Sequence, residues 1–230
     1  MTKIYCDIAD LNLIKKFNKK KIVKGFTTNP SLMRKAGAKN YEAYSKKILK
    51  ITKKPVSCEV FADNEKEMII QGLKISKWSN NVYVKVPVTN SKGKFMGKVI
   101  RELNKKKIKL NITAVYSVKQ VLKILNNINK KTKIIISIFA GRMADVGKDP
   151  IPIFRESLKI SNKYQNVEIL WASTREAYNY LQARNLKCQI ITVPPNIIEK
   201  IEKFGKSSKN LTLDTVKGFL DDSKKSKFQI

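Results

Sequence analysis

Val82-Tyr83-Val84-Lys85-Val86-Pro87-Val88 is a seven-residue run that is apolar on both alternations except for one lysine. A strand covered on one face only would alternate apolar with polar, so this run reads as an interior strand of a parallel sheet, buried on both faces. Similar runs lie on either side of it. They are Lys3 to Ile8, Ile22 to Thr28, Val56 to Ala62, Lys109 to Tyr116, Lys133 to Phe139, Val167 to Ser173 and Gln189 to Val193. With the first they make eight, and helical patterns fill the intervals.

The helix starts are marked by chemistry. Ser117 with Gln120 forms a capping box ahead of Val118, Val121, Leu122, Leu125 and Ile128 at helical spacing. Asn29 before Pro30 is an N-cap followed by proline at the first helical position. Asn64 with Glu67 repeats the capping-box pattern, and Asp149-Pro150 predicts another helix start. Eight units in 230 residues give about 29 residues per unit, close to a minimal strand–helix–strand repeat. The expected fold is a single (β/α)8 TIM barrel spanning residues 1–230. Leu211 to Lys225 reads as an additional C-terminal helix; its Leu213, Val216, Phe219 and Leu220 need cover from their own barrel or from a neighbouring subunit, and a homo-oligomer is expected.

Composition narrows the chemistry. The 48 basic against 18 acidic side chains give a net charge of +30, yet the 42% hydrophobic content is that of a folded protein. Histidine is absent, which removes His-based triads, His-ligated zinc and imidazole proton shuttles. Cys6, Cys58 and Cys188 form no paired metal or redox motif, and no apolar segment has the length of a membrane span, so a cytoplasmic protein without membrane contact is expected. Only six basic residues are Arg, and Lys is spread over nearly every predicted helix. Without a concentrated patch or a nucleic-acid-binding motif, a basic nucleic-acid-binding barrel is a remote alternative.

Nearly every predicted strand carries a polar residue in or just after its C-terminal half, the end at which barrel active sites sit. These are Asp7, Asn29, Glu59, Lys85, Asn111 with Thr113, Ser137 and Ser173. Lys85 is the candidate nucleophile: a lysine in a dry interior prefers to lose its proton, and the neutral amine attacks a carbonyl to form a Schiff base. Glu59 and Asp7 are acid–base candidates, two carboxylates able to divide the proton transfers between them. Asn29, Asn111, Thr113 and Ser137 suit sugar hydroxyls. Arg142 and Arg175 follow strand ends and suit phosphate, because guanidinium offers two parallel hydrogen bonds. Surface ion pairing is expected for Arg34, Arg101, Arg155 and Arg184.

Taken together, Thr27-Thr28-Asn29-Pro30-Ser31-Leu32, the Lys85 strand with Val86-Pro87, Asn111-Ile112-Thr113, Ser137-Ile138-Phe139-Ala140-Gly141-Arg142 and Ser173-Thr174-Arg175 resemble the transaldolase family over essentially the whole chain. The length resembles its short subgroup, which also contains fructose-6-phosphate aldolases. The resemblance implies that Lys85 attacks a ketose phosphate, that Glu59 with Thr113 handles protons through a water, and that Asp7 takes the proton in carbon–carbon cleavage. It implies that Asn29, Asn111 and Ser137 hold the dihydroxyacetone unit and that Arg142, Ser173 and Arg175 receive phosphate. No metal or other cofactor is implied.

Glu59 and Phe139 stand where the aldolases carry Gln and a proton-donating Tyr, and both resemble transaldolase. The implied activity is transfer of dihydroxyacetone from sedoheptulose 7-phosphate or fructose 6-phosphate to erythrose 4-phosphate or glyceraldehyde 3-phosphate, in the pentose phosphate pathway. The alternative is an aldolase releasing free dihydroxyacetone. Trp171 departs from the pattern, with the expectation that it reshapes the phosphate end of the pocket.

Overall fold

The computed structural model describes residues 1–227; positions 228–230 of the expected barrel span lie outside the described residues. Eight strands, β1 (Lys3–Asp7), β2 (Val23–Thr27), β3 (Val56–Glu59), β4 (Val82–Pro87), β5 (Leu110–Val115), β6 (Ile134–Phe139), β7 (Val167–Ala172) and β8 (Ile190–Val193), pair in sequence order. All pairs are parallel, and β8 closes on β1 through Lys3 opposite Ile190. The helices are α1 (Leu11–Asn18), α2 (Pro30–Lys35), α3 (Tyr41–Ile51), α4 (Glu65–Ser76), α5 (Gly97–Lys105), α6 (Val118–Leu125), α7 (Ala140–Ala144), α8 (Ile151–Ser161), α9 (Tyr178–Asn185), α10 (Pro195–Ile201) and α11 (Ser208–Ser226). This is a (β/α)8 barrel with a C-terminal helix.

Strand alternation sorts the apolar side chains into two separate clusters. Cys6, Phe26, Cys58, Val84, Ile112, Ile136 and Trp171 point outward and pack with helix residues such as Phe17, Met68, Leu103 and Phe154. The second cluster fills the lumen: Tyr5, Tyr83, Ile135, Leu170, Ala172 and Ile190. Tyr5 lies across the lumen because β2 has glycine opposite it; a Cβ on Gly25 would stand 2.6 Å from the ring. That plug closes the floor beneath the polar strand ends.

The predicted caps form: Ser117 and Gln120 make both bonds of the capping box, while Asn29 and Asn64 accept the N–H groups of Leu32 and Glu67. The start predicted at Asp149 is shifted. Pro150 is the N-cap and supplies no side-chain bond, whereas Asp149 accepts from the Ile151 N–H at 2.9 Å.

Helix α11 begins three residues before the predicted Leu211, capped by the Ser207 hydroxyl, and every one of its residues is exposed. Its apolar side chains therefore find no cover on the barrel among the described residues. The expectation for Trp171 is also overturned. It faces away from the lumen and stacks on Phe154 of α8, with ring centroids 4.4 Å apart, so it takes no part in the pocket.

Candidate active site

Lys85 lies on β4, two residues after the lumen-facing Tyr83, and is 7% exposed. Its Nζ stands 3.1 Å from Glu59 Oε2, the residue directly opposite on β3, and donates to the Thr28 carbonyl at 3.1 Å. Glu59 is in turn fixed through its backbone, whose N–H donates to the Tyr41 hydroxyl at 2.7 Å. Tyr41 packs edge-on against Phe61, and burial pushes its phenol well above its ordinary range.

Asp7 enters from β1. Its Oδ1 accepts from the Thr27 hydroxyl at 2.6 Å, and the hydroxyls of Thr27 and Thr192 are 2.6 Å apart, making a short relay across β1, β2 and β8. Burial raises the Asp7 pKa, the Thr27 bond and the Lys85 charge oppose that rise, and Glu59 adds to it. The two carboxylates thus occupy different surroundings: one faces the amine directly, and the other is held proton-seeking by desolvation.

On the opposite wall, Ser137 Oγ donates to Asn111 Oδ1 at 2.7 Å, and Asn111 Nδ2 donates to Ser57 Oγ at 2.9 Å. A buried amide is thereby fixed in one orientation. Thr113 also faces the cavity, and among the described residues its buried Oγ1 has no partner. Buried hydroxyls are normally bonded, so this one is free for whatever occupies the cavity. Thr113 keeps its place because β5 bulges at Ala114, whose φ of 59° absorbs one residue and returns Val115 to the outer core.

The rim is built by α7 and the turn after β7. Phe139 ends β6 against Tyr116, and the Arg142 guanidinium lies 6.0 Å from the Phe139 ring centroid. Ser173 adopts a left-handed φ of 63°, and its carbonyl oxygen is where a Cβ on residue 141 would be, only 1.7 Å away, so any side chain at position 141 displaces the turn after β7. Arg175 pairs with Asp145. A cavity of about 210 Å³ joins the lysine to these arginines, room for a small metabolite.

Every sequence-predicted site residue is at this mouth. Asp7, Asn29, Lys85, Asn111, Thr113, Ser137, Phe139, Arg142, Ser173 and Arg175 line the cavity, and Glu59 reaches it through its ion pair with Lys85. Thr27 and Thr192 line it too and were missed. Both sit on the inward alternation of their strands, which was the available signal. Arg101 bonds Asn127, and Arg34, Arg155 and Arg184 make no salt bridge among the described residues, contrary to expectation. The three cysteines are buried, with Cys58 and Cys188 each pushed up to about 12 by burial, which disfavours the nucleophilic thiolate. Among the described residues no three His, Cys, Asp or Glu side chains are placed to share a metal ion.

Fold and mouth together define an enzyme of the (β/α)8-barrel class, its polar constellation gathered at the C-terminal ends of the strands. The family model described as Transaldolase/Fructose-6-phosphate aldolase matches residues 4–230, and the chain belongs to that family. Its relatives include a "Probable transaldolase" of Methanococcus vannielii, 33% identical over 86% of this chain and 89% of the relative. Another "Probable transaldolase", from Thermoplasma volcanium, is 34% identical over 97% of this chain and 96% of the relative. Among solved structures, a putative phosphonomutase from Burkholderia cenocepacia superposes with a TM-score of 0.58 at 8% identity, covering 94% of this chain and 93% of the other; this is likeness of fold alone. Among the described residues no helix is long and apolar enough to cross a membrane.

Proposed function

We propose that this protein is a transaldolase that carries a dihydroxyacetone unit on Lys85, working in the pentose phosphate pathway of the cytoplasm as a homo-oligomer. The observation that carries the reading is the buried Lys85 amine, 3.1 Å from Glu59 and sharing one cavity with Asp7 and the unpartnered Thr113 hydroxyl. The neutral amine adds to the ketone of sedoheptulose 7-phosphate or fructose 6-phosphate, giving a carbinolamine. Loss of water then gives the Schiff base, with Glu59 and Thr113 moving the protons through a water.

Asp7 takes the proton from the hydroxyl beside the scissile bond. That bond breaks, the aldose phosphate leaves, and the electron pair stays on the lysine-bound three-carbon fragment as an enamine. Erythrose 4-phosphate or glyceraldehyde 3-phosphate enters, the enamine carbon attacks its aldehyde, and the steps reverse to free Lys85. Asn29, Asn111 and Ser137 hold the three-carbon unit, and Arg142, Ser173 and Arg175 take the phosphates of donor and acceptor.

Borohydride reduction in the presence of fructose 6-phosphate, followed by peptide mass analysis, tests this. A dihydroxyacetone-derived adduct on Lys85 is the expected result; an adduct on another lysine, or none, overturns it. The aldolase reading differs in one product. Glu59 and Phe139 favour transfer, so free dihydroxyacetone should form slowly without an acceptor aldose.

A further inference from the structure

The rim arginines are held unequally. Among the described residues Arg142 makes no hydrogen bond and lies over the Phe139 ring, near enough for its charge to act on Asp145, whereas Arg175 is clamped on three sides. Its Nε lies 2.9 and 3.2 Å from the two Asp145 carboxylate oxygens, its Nη2 donates to Asp145 Oδ2 at 2.5 Å, and its Nη1 donates to the Ser173 carbonyl at 3.2 Å. A guanidinium has five N–H donors. Nε–H, one hydrogen of Nη2 and one of Nη1 are occupied, which leaves one N–H on each terminal nitrogen.

We propose that Asp145 is a positioning residue for phosphate: it seizes the Nε–Nη2 edge of Arg175 and so reserves the remaining N–H groups of the two terminal nitrogens for the substrate's phosphoryl oxygens. The proposal rests on the reading of Arg175 as a phosphate ligand. Both side chains are about half exposed, and an exposed ion pair stabilises a fold little, so the consequence of this one is orientation. A long arginine side chain otherwise samples many rotamers, and fixing it before the ligand arrives removes that cost from binding. The anchor behind it is stiff. Ser173 is locked by its left-handed backbone against Gly141, and Arg175 Cγ itself lies 3.0 Å from where a Cβ on residue 141 would sit. The Arg175 bonds hold the Asp145 carboxyl below its usual range, so the clamp is charged throughout neutral pH.

Simple electrostatics predicts the opposite sign. Asp145 is an anion beside a site for a dianion, and removing its charge alone would tighten phosphate binding. Asp145→Asn keeps the shape and discards the charge, so the direction of change decides between the two. The measurements are kcat and KM for fructose 6-phosphate and the inhibition constant of inorganic phosphate, for the wild type, D145N, R175A and the double variant.

The expected result for D145N is a rise of roughly tenfold in both KM and the phosphate inhibition constant with kcat within about twofold, the size of one misdirected charge-assisted hydrogen bond. The double variant should be no worse than R175A, because Asp145 acts through Arg175. A lowered or unchanged KM in D145N, where R175A raises it, overturns the positioning role and leaves the phosphate reading standing. A further loss in the double variant beyond R175A overturns it as well, since Asp145 would then act by another route. An unchanged KM and inhibition constant in R175A overturns the phosphate reading of Arg175, and the proposal falls with it.

Discussion

The two halves of the mouth are built on opposite plans. The half on β1 to β5 is sealed: Lys85, Asp7 and Asn111 sit against the lumen plug, each bonded to a protein partner. The half beyond β6 and β7 is open, and the side chains of Arg175 and Asp145 are 46% and 48% exposed. Burial makes every unpaired polar group costly, so the sealed half bonds its charged and amide groups before any substrate arrives and leaves the Thr113 hydroxyl for the ligand. The open half is screened by solvent and can hold charge with few partners. Chemistry that needs a defined proton location belongs in the first, and recognition of a hydrated dianion belongs in the second.

The comparison breaks most completely at Lys85. Lys85→Met keeps the stem length and removes the amine, and on the proposed mechanism activity should fall by at least ~10³-fold, the scale of losing a covalent nucleophile. Borohydride should then capture no adduct, while inorganic phosphate still binds the open half. Loss of both together would show that the halves are not separable.

Asp7→Asn comes next, with a predicted loss of about 10²- to 10⁴-fold in kcat, the range for a general acid–base group. Its second effect has the opposite sign. Because burial raises the Asp7 pKa, the native state holds a proton that the unfolded chain has released between the ordinary aspartate value and the raised one. Stability is therefore lost as pH rises through that window, and above it the wild type carries a buried charge at a cost. Asn accepts the Thr27 bond without that charge, so D7N should melt higher than the wild type at neutral pH and converge with it in acid. A thermal scan over pH checks this, and a variant that melts lower at neutral pH contradicts the account. In the wild type the same titration should give activity an acid limb, rising as Asp7 ionises.

Gly141→Ala tests the boundary between the halves. The new methyl would lie 1.7 Å from the Ser173 oxygen, so the turn after β7 must move. Overpacking of this kind costs roughly 1–3 kcal/mol, visible as a lowered melting point. KM for fructose 6-phosphate should rise several-fold while the Lys85 adduct still forms at saturating donor. Failure to form it would join the rim mechanically to the lysine.

Much of this division was legible in the sequence, for physical reasons. The strands are apolar on both faces because the lumen and the helix layer are both dry, and polar exceptions such as Lys85 and Asn111 stand out against that background. Thr27 and Thr192 did not stand out, since threonine is an ordinary strand residue and only its inward alternation marks it. Trp171 was misplaced for a related reason: the pocket is reached by Leu170, Ala172 and Ser173, and the residue between the first two must face outward. The Asp145–Arg175 clamp joins two loops 30 positions apart, and no local pattern announces such a contact. The apolar stripe of α11 was readable, but where a helix lies depends on what covers it, and the barrel offers it no cover among the described residues.

The smallest predicted change sharpens the comparison at a residue that belongs to both halves. Phe139 ends an inward strand, joins the lumen cluster, and also lies beneath the Arg142 guanidinium. Phe139→Tyr adds one hydroxyl to the cavity lining without altering the ring. In the proposed mechanism an enamine on Lys85 persists only while nothing nearby protonates its carbon, and a phenol at this position would supply that proton. The product balance should shift by a few-fold toward free dihydroxyacetone in the absence of an acceptor, with the rate of adduct formation on Lys85 little changed. A coupled assay for dihydroxyacetone reads the shift directly. If the balance stays put, the lifetime of the three-carbon intermediate is set elsewhere, and Tyr116, packed against the same ring with centroids 5.8 Å apart, is the phenol to change next.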